Sequence, residues 1–527
     1  MLSNKNKIYF SLENFYLFIL FLVSFLINLY YASRGVFPLD SFLHFDSGYR
    51  ILNNELPVRD FWIVHGIFPD YLQAIFFKIF DVNWIGYIIH PSLLNGLISI
   101  FTFYILRLLD VNKHLSFVFC IFFGILAYPP SGTPFIDHHS SFFSLLGIYF
   151  FILGIKKKKF IYYFFLPFMF GLAFLSKQVP AIYVIFAVSL LIIFFSIIRK
   201  NKNLIIYSFA GTFSFVLLLM TFFKLQDIEL KSFLEQYILF PISIGSSRYD
   251  KFDPDLLGLL HHFKFILFSL LPLLYFLIFK FKKKRDFFKN DDFYICLLIL
   301  SFSLCLMFHQ TLTKNQTFIF FLIPFNIIFG IYFLEQTSLK KKNIIFVTLF
   351  FITLFLVTKY HLRFNENRKF HELNNIDFNN TIPAELIDQR LKSLNWISPN
   401  FKEPREEIEL VKFLVKTIED DKKNVMLITN YLFFDSIVAK KLNSPSRTYD
   451  SISFPSKDNK YYNSYREIFI NKLKTKEIKS IYVFDGVRIS QEQINYVTHY
   501  VSKNCFDTIE IKPEIVKLSL KNCNDLN

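Results

Sequence analysis

Apolar runs of roughly 20 residues, the length that crosses about 30 Å of hydrocarbon, recur along the first two-thirds of the chain. They lie at 13–33, 84–107, 114–130, 139–155, 160–176, 180–198, 203–223, 263–281, 293–310, 317–334 and 343–360. The pattern predicts a polytopic α-helical membrane protein with about 11 spanning helices. The first run reads as a retained span: it is too long for a leader, and no small-residue cleavage site follows it. From about residue 361 the pattern changes. Pro404, with Glu406 and Glu407 behind it, opens an amphipathic helix. Residues 425–429 and 480–484 read as buried strands, and 434–442 and the stretch from about 490 as helices. Strand–helix alternation predicts a small α/β domain with a partly parallel sheet. The expected division is 1–360 for the membrane part and 361–527 for the soluble part.

Composition agrees with the pattern. Of 527 residues, 53% are hydrophobic, 20% aromatic and 73 are Phe. Phe in that quantity needs lipid to face. The net charge of +16 could suggest nucleic acid. The Lys and Arg, however, fall in short blocks between apolar runs, at Lys156–Lys159, Arg199–Lys202, Lys282–Arg285 and Lys340–Lys342. That is the pattern of cytoplasmic loops, and it leaves no basic face for nucleic acid. With Lys5 and Lys7 also inside, loops 34–83, 131–138, 224–262 and 311–316 fall outside, and an odd number of spans puts the tail outside. Within the first loop, residues 68–78 read as an interfacial amphipathic helix ending in Lys78.

Five cysteines are present. Cys120, Cys296 and Cys305 lie in apolar runs. Cys505 and Cys523 bracket the last two predicted strands, where an extracytoplasmic setting permits a disulfide that closes a hairpin. Zinc, phosphate-loop, Rossmann and His-Glu-x-x-His signatures are absent.

Chemistry concentrates in the outer loops. Asp46 follows the first span closely. It is either a general base for an acceptor hydroxyl or the N-cap of a helix beginning before Tyr49. Asp137 follows a rigid stretch with Pro129, Pro130, Gly132 and Pro134; it is a second catalytic carboxylate or a cap. Lys177, at the outer end of the fifth span, either meets an anionic partner such as a lipid-linked phosphate or snorkels to the interface. Arg248 and Lys314 are further outward cations for the same anion. Arg59 and Asp60 read as an ion pair pinning the loop. His138 and His139, with His44 or His65, offer an alternative as a divalent-cation site; no other cofactor is implied.

This arrangement resembles the membrane-embedded C-type (GT-C) glycosyltransferases. Within them it resembles the bacterial aminoarabinose transferases, the protein O-mannosyltransferases and the dolichyl- or polyprenyl-phosphate-sugar enzymes. The resemblance covers roughly residues 10–360. It rests on Asp46-x-Gly48-Tyr49, on Asn54-Glu55-Leu56-Pro57-x-Arg59-Asp60-Phe61, and on Ser176-Lys177-Gln178-Val179-Pro180. It implies Asp46 as the catalytic carboxylate and Asp137 as the second acid, and the Lys177 segment is similar; Lys177, with Arg248 and Lys314 as the other outward cations, is the expected ligand of the donor phosphate. Tyr49, Arg59, Asp60, His65 and His138 would position the loop and substrate. Ser47 stands where many members carry a second acid, which weakens a metal-dependent mechanism. The expected activity is transfer of a sugar from a polyprenyl-phosphate donor to a glycan, lipid or protein acceptor at the outer face of a bacterial inner (plasma) membrane, with the carrier tail among membrane lipid. A polysaccharide ligase or polymerase relying on Arg248 with His261 and His262, and a lipid-linked sugar transporter, remain the alternatives.

Overall fold

The computed structural model describes residues 12–250, 256–283, 287–313, 317–450, 452–521 and 523. Helix α1 (Leu12–Ala32) leads into a loop carrying α2 (Pro38–Ser41), α3 (Phe45–Leu52) and α4 (Ile67–Phe80). Then follow α5 (Trp84–Leu108), α6 (Lys113–Leu126), α7 (Ile136–Lys157), α8 (Ile161–Ser176), α9 (Gln178–Arg199) and α10 (Asn203–Leu225). A short α11 (Leu230–Phe233), a π-helical turn at Leu234–Leu239 and α12 (Phe240–Asp250) lead to α13 (Leu256–Lys283), α14 (Asp291–Thr313), α15 (Leu322–Glu335) and α16 (Lys342–Tyr360).

Among the described residues, eight of these helices are long and apolar enough to cross a membrane, and α6, α8 and α15 are shorter apolar helices. Each apolar run of the sequence falls on one of the eleven. The departures include α13, which begins at Leu256 rather than 263, and those at α6 and α15. α6 stops at Leu126 rather than 130, because Pro129 and Pro130 disfavour helix in the residues before them. α15 begins at Leu322, and every residue from Leu322 to Leu334 is buried. It is apolar all round because protein surrounds it on all sides. α10 is the opposite case. Phe209, Phe213, Leu217 and Leu218 stand exposed, the surface a lipid solvent would cover.

Polar seams hold the helices. Asn28 Nδ2 donates to Ser92 Oγ and to the Gly132 carbonyl, and Asn95 Nδ2 donates to the Ser24 and Gly124 carbonyls. Gly124 is required there, since a Cβ would lie 2.3 Å from Ser24 Oγ. At the Lys-rich end, Lys156 pairs with Asp292 at 3.0 Å and Arg199 pairs with Asp291. The opposite end carries the first loop.

The tail sits on that opposite end. After two-residue strands β1 (Ile382–Pro383) and β2 (Asn395–Trp396) come α17 (Pro404–Asp420), β3 (Asn424–Thr429), α18 (Phe434–Ile437), α19 (Tyr462–Thr475), β4 (Ile478–Phe484), α20 (Gln491–Thr498), β5 (Phe506–Lys512) and β6 (Ile515–Leu520). The sheet order is β3-β4-β6-β5, with β3 and β4 parallel and the other pairs antiparallel. The helix expected over 434–442 covers only four residues, because Val438 is already extended. A disulfide joins Cys505, just before β5, to Cys523, after β6.

The first loop and the tail share a core. The Trp62 N–H donates to the Pro445 carbonyl at 2.8 Å, and the Trp62 carbonyl accepts from the Arg447 N–H at 3.1 Å. The Trp62 ring is fully buried, edge-on to Phe240 and Tyr465. Phe42 packs against Trp84, Trp396 and Phe433. Arg368 is also buried and donates to the Pro129, Ser131 and Arg34 carbonyls, tying the start of the tail to two loops.

Candidate active site

Asp137, Lys177 and His309 come together from three helices. α7 begins at Ile136, so Asp137 lies in its first turn rather than in the Pro-rich loop. A carboxylate is favoured there by the helix N-terminus. Lys177 is the extended residue between α8 and α9; the Ser140 hydroxyl holds its carbonyl at 3.1 Å. Lys177 Nζ donates to Asp137 Oδ2 at 2.7 Å, and His309 Nε2 lies 3.0 Å from Asp137 Oδ1. Both carboxylate oxygens are therefore engaged, which is what makes a buried charge tolerable. His309 also lines a mostly apolar groove of about 600 Å³, with Ile182, Tyr183, Ile242 and Leu312.

A second chain of contacts crosses from the first loop to the tail. His44 Nδ1 donates to Asp70 Oδ1 at 2.6 Å. Arg447 Nη1 donates to Asp70 Oδ2 at 2.8 Å, and Arg447 Nη2 donates at 2.6 Å to His65 Nδ1 and to the His65 carbonyl. A guanidinium only donates, so His65 Nδ1 must accept and the ring is neutral. Burial, then the Arg447 charge, pushes the His65 imidazole well below its usual range. Lys177 lowers it further and Asp137 opposes, and the Gln178 side chain, next to Lys177, donates to the Val64 carbonyl, next to His65, at 2.7 Å.

Asp46 lies elsewhere. It is the second residue of α3, whose N-cap is His44, so it does not cap its own helix. It caps another. Asp46 Oδ2 accepts the Asp435 N–H of α18 at 3.4 Å, and the Asp46 N–H donates to the Leu432 carbonyl. The side chain is buried beneath the tail. Burial, then the Asp435 carboxyl, raises its pKa well above the ordinary range, and burial raises Asp435 as well. Beside them Arg50 Nε donates to Glu55 at 2.9 Å, and Lys441 pairs with Glu55 at 3.0 Å. Burial alone would raise Glu55; Arg50 and Lys472 hold it down at about 2. Lys472 is itself lowered to about 7 by burial and by Arg50.

The remaining expected residues fall as follows. Arg59 pairs with Asp60 at 2.7 Å and donates to the Gln226 and Asn54 carbonyls, so it fastens the loop to the end of α10. Tyr49 is half-buried on α3. His138 stacks on Tyr128, while His139 contacts His90 and Tyr128, so the adjacent imidazoles diverge. No group of three or more His, Cys, Asp or Glu among the described residues gathers as a metal site. The Arg248 side chain and Lys314 lie outside the described residues.

Asp40, Arg50, Asp70, His309, Asp435, Lys441, Arg447 and Lys472 had no role assigned from sequence. Only His309 carried a local signal, as a polar residue ending an apolar run. Asp40 is half-buried on α2. Burial, then the Asp137 charge, raises it to about 7, with Lys177 opposing.

No curated protein matches the chain. Residues 64–222 match the family model described as Dolichyl-phosphate-mannose-protein mannosyltransferase. That span contains His65, Asp137, His138 and Lys177, and ends before His309 and the tail. The match supports a GT-C-like glycosyltransferase.

Proposed function

We propose that the chain is an integral-membrane glycosyltransferase that takes a sugar from a polyprenyl-phosphate carrier of the dolichyl-phosphate type. It passes the sugar to a glycan, lipid or protein acceptor outside the cytoplasm. The loop end of the bundle and the tail face outward, and the Lys-rich ends face the cytoplasm. The supporting observation is that an apolar groove is lined in part by His309, which shares Asp137 with Lys177. The groove suits an isoprenoid chain. Asp137 takes one of the three ammonium donors of Lys177, and phosphate oxygens can take others.

In the reaction, an acceptor hydroxyl attacks the anomeric carbon as the bond to the phosphate oxygen breaks. The electron pair leaves with the polyprenyl phosphate, and the hydroxyl proton passes to a carboxylate. One displacement inverts the anomeric centre. Lys177 stabilises the charge growing on the leaving phosphate.

Asp46 is the base in a state in which α18 has lifted from it. A second assignment, Asp40, is favoured for the state described here, because Asp40 is half-buried, sits near pH 7 and feels Asp137 and Lys177. The test incubates purified full-length protein with labelled polyprenyl-phosphate sugars and an envelope extract, beside Asp46→Asn and Asp40→Asn. Label transfer by the parent, lost in one folded variant, identifies the base. Saturable donor binding without turnover in the parent would replace a transferase with a transporter.

A further inference from the structure

The tail carries an open depression of about 470 Å³ away from the residues assigned above, lined by Lys422, Lys423, Lys440, Lys441 and Lys476 with Glu477 as the one acidic lining residue. Three separate segments deliver the lysines: the turn between α17 and β3, the stretch after α18, and the turn between α19 and β4. Parallel strands β3 and β4 both begin here, which is why the turns that precede them meet.

Five ammonium groups around one hollow repel each other, and the protein compensates only part of that. Lys441 pairs with Glu55 and Lys440 donates to the Asp421 carbonyl. Lys422, Lys423 and Lys476 are exposed, and none of them has an ion-pair partner among the described residues. The hollow also has a defined position. Glu55 belongs to the same loop as Arg59, whose guanidinium reaches the Gln226 carbonyl at the end of α10. α10 is one of several helices with exposed apolar side chains, and Ile51 and Leu52, just before Glu55, line an open apolar groove with its Leu218 and Phe222. The depression therefore lies close to the edge of the bundle, where lipid headgroups are within reach.

We propose that this depression is a phosphate-binding site, separate from the donor site, for the phosphate of a membrane lipid headgroup. Lysines suit this role as mobile point charges, several converging on one phosphate without a fixed fork. The hollow is too open and too polar for an apolar ligand. A headgroup bound there would hold the tail against the membrane surface.

The test uses the full-length chain in neutral detergent. It is titrated with dioctanoyl phosphatidylglycerol, with dioctanoyl phosphatidylcholine as the uncharged-overall control, and with inorganic pyrophosphate. A Lys422→Gln/Lys423→Gln/Lys476→Gln variant and its triple Arg counterpart are run in parallel. All three positions are exposed, so both variants should fold, which size-exclusion and thermal unfolding check. The expected result is salt-sensitive binding of an anionic probe by the parent and the Arg variant, weaker by about tenfold or more in the Gln variant. Binding of phosphatidylglycerol without pyrophosphate competition assigns a headgroup; competition by pyrophosphate assigns a phosphate irrespective of its carrier. Equal binding by parent and Gln variant, or no saturable binding of either anionic probe, overturns the site.

Discussion

Lys177 donates to Asp137 across 2.7 Å, joining the end of α8 to the first turn of α7. Neither group is well solvated, with side-chain exposures of 18% and 6%. Removing one partner strands the other, at a cost of about 3 kcal/mol. Asp137→Asn should therefore unfold at lower temperature than the parent. Adding Lys177→Met to it should recover part of the loss, because the stranded cation is gone. Thermal unfolding of the parent, both single variants and the double variant in one detergent measures the coupling. Strictly additive losses would mean the pair contributes nothing.

Glu55 gives a pH dependence with a definite sign. Its folded-state value of about 2 lies below the ordinary 4.5. The folded form thus binds fewer protons than the unfolded chain between those values. Its contribution is present above about pH 4.5 and is lost as pH falls toward 2. The parent should be more stable than Glu55→Gln at pH 7, and the margin should close on acidification. Unfolding of both proteins followed from pH 7 to pH 3 checks this; a margin that widens with acid would contradict it.

Trp62 fixes the tail to the first loop. Its ring is buried against Phe240 and Tyr465, and its backbone pairs with Pro445 and Arg447. Trp62→Ala should cost about 3–5 kcal/mol and loosen the tail while sparing the bundle. Trp62→Phe should do much less. Limited proteolysis should show faster cleavage between β6 and α16 in Trp62→Ala, with the helical part left intact.

The helices were legible because lipid imposes one rule on every span: a long apolar run with its polar groups satisfied internally. At α15 the same composition comes from burial in protein, since every residue from Leu322 to Leu334 is buried. In the tail, the runs 425–429 and 480–484 were readable as buried strands, and they pair in parallel as β3 and β4. α18 was overread, because apolar residues after Phe434 continue in extended backbone.

The site was legible in part. Asp137 and Lys177 stood out as charges at the ends of apolar runs, but nothing local indicated that they meet. Their contact depends on how α7 and α8 pack. Asp46 stood out as well, and a cap was one of its two readings. The helix it caps begins at Phe434, far along the chain, so no local pattern could identify it. Arg447 was missed for the same reason: its partners Asp70 and His65 lie in the first loop, and tertiary packing alone connects them.

The most direct test of a donor site at Lys177 measures two products at once. Full-length protein in nanodiscs is supplied with a labelled polyprenyl-phosphate sugar and an acceptor extract. Released polyprenyl phosphate and transferred sugar are quantified for the parent, Lys177→Met and Lys177→Arg. The expected result is equal amounts of the two products from the parent, a loss of about 100-fold in Lys177→Met, and partial activity in Lys177→Arg. Turnover in Lys177→Met equal to that of the parent would contradict a donor phosphate held at Lys177.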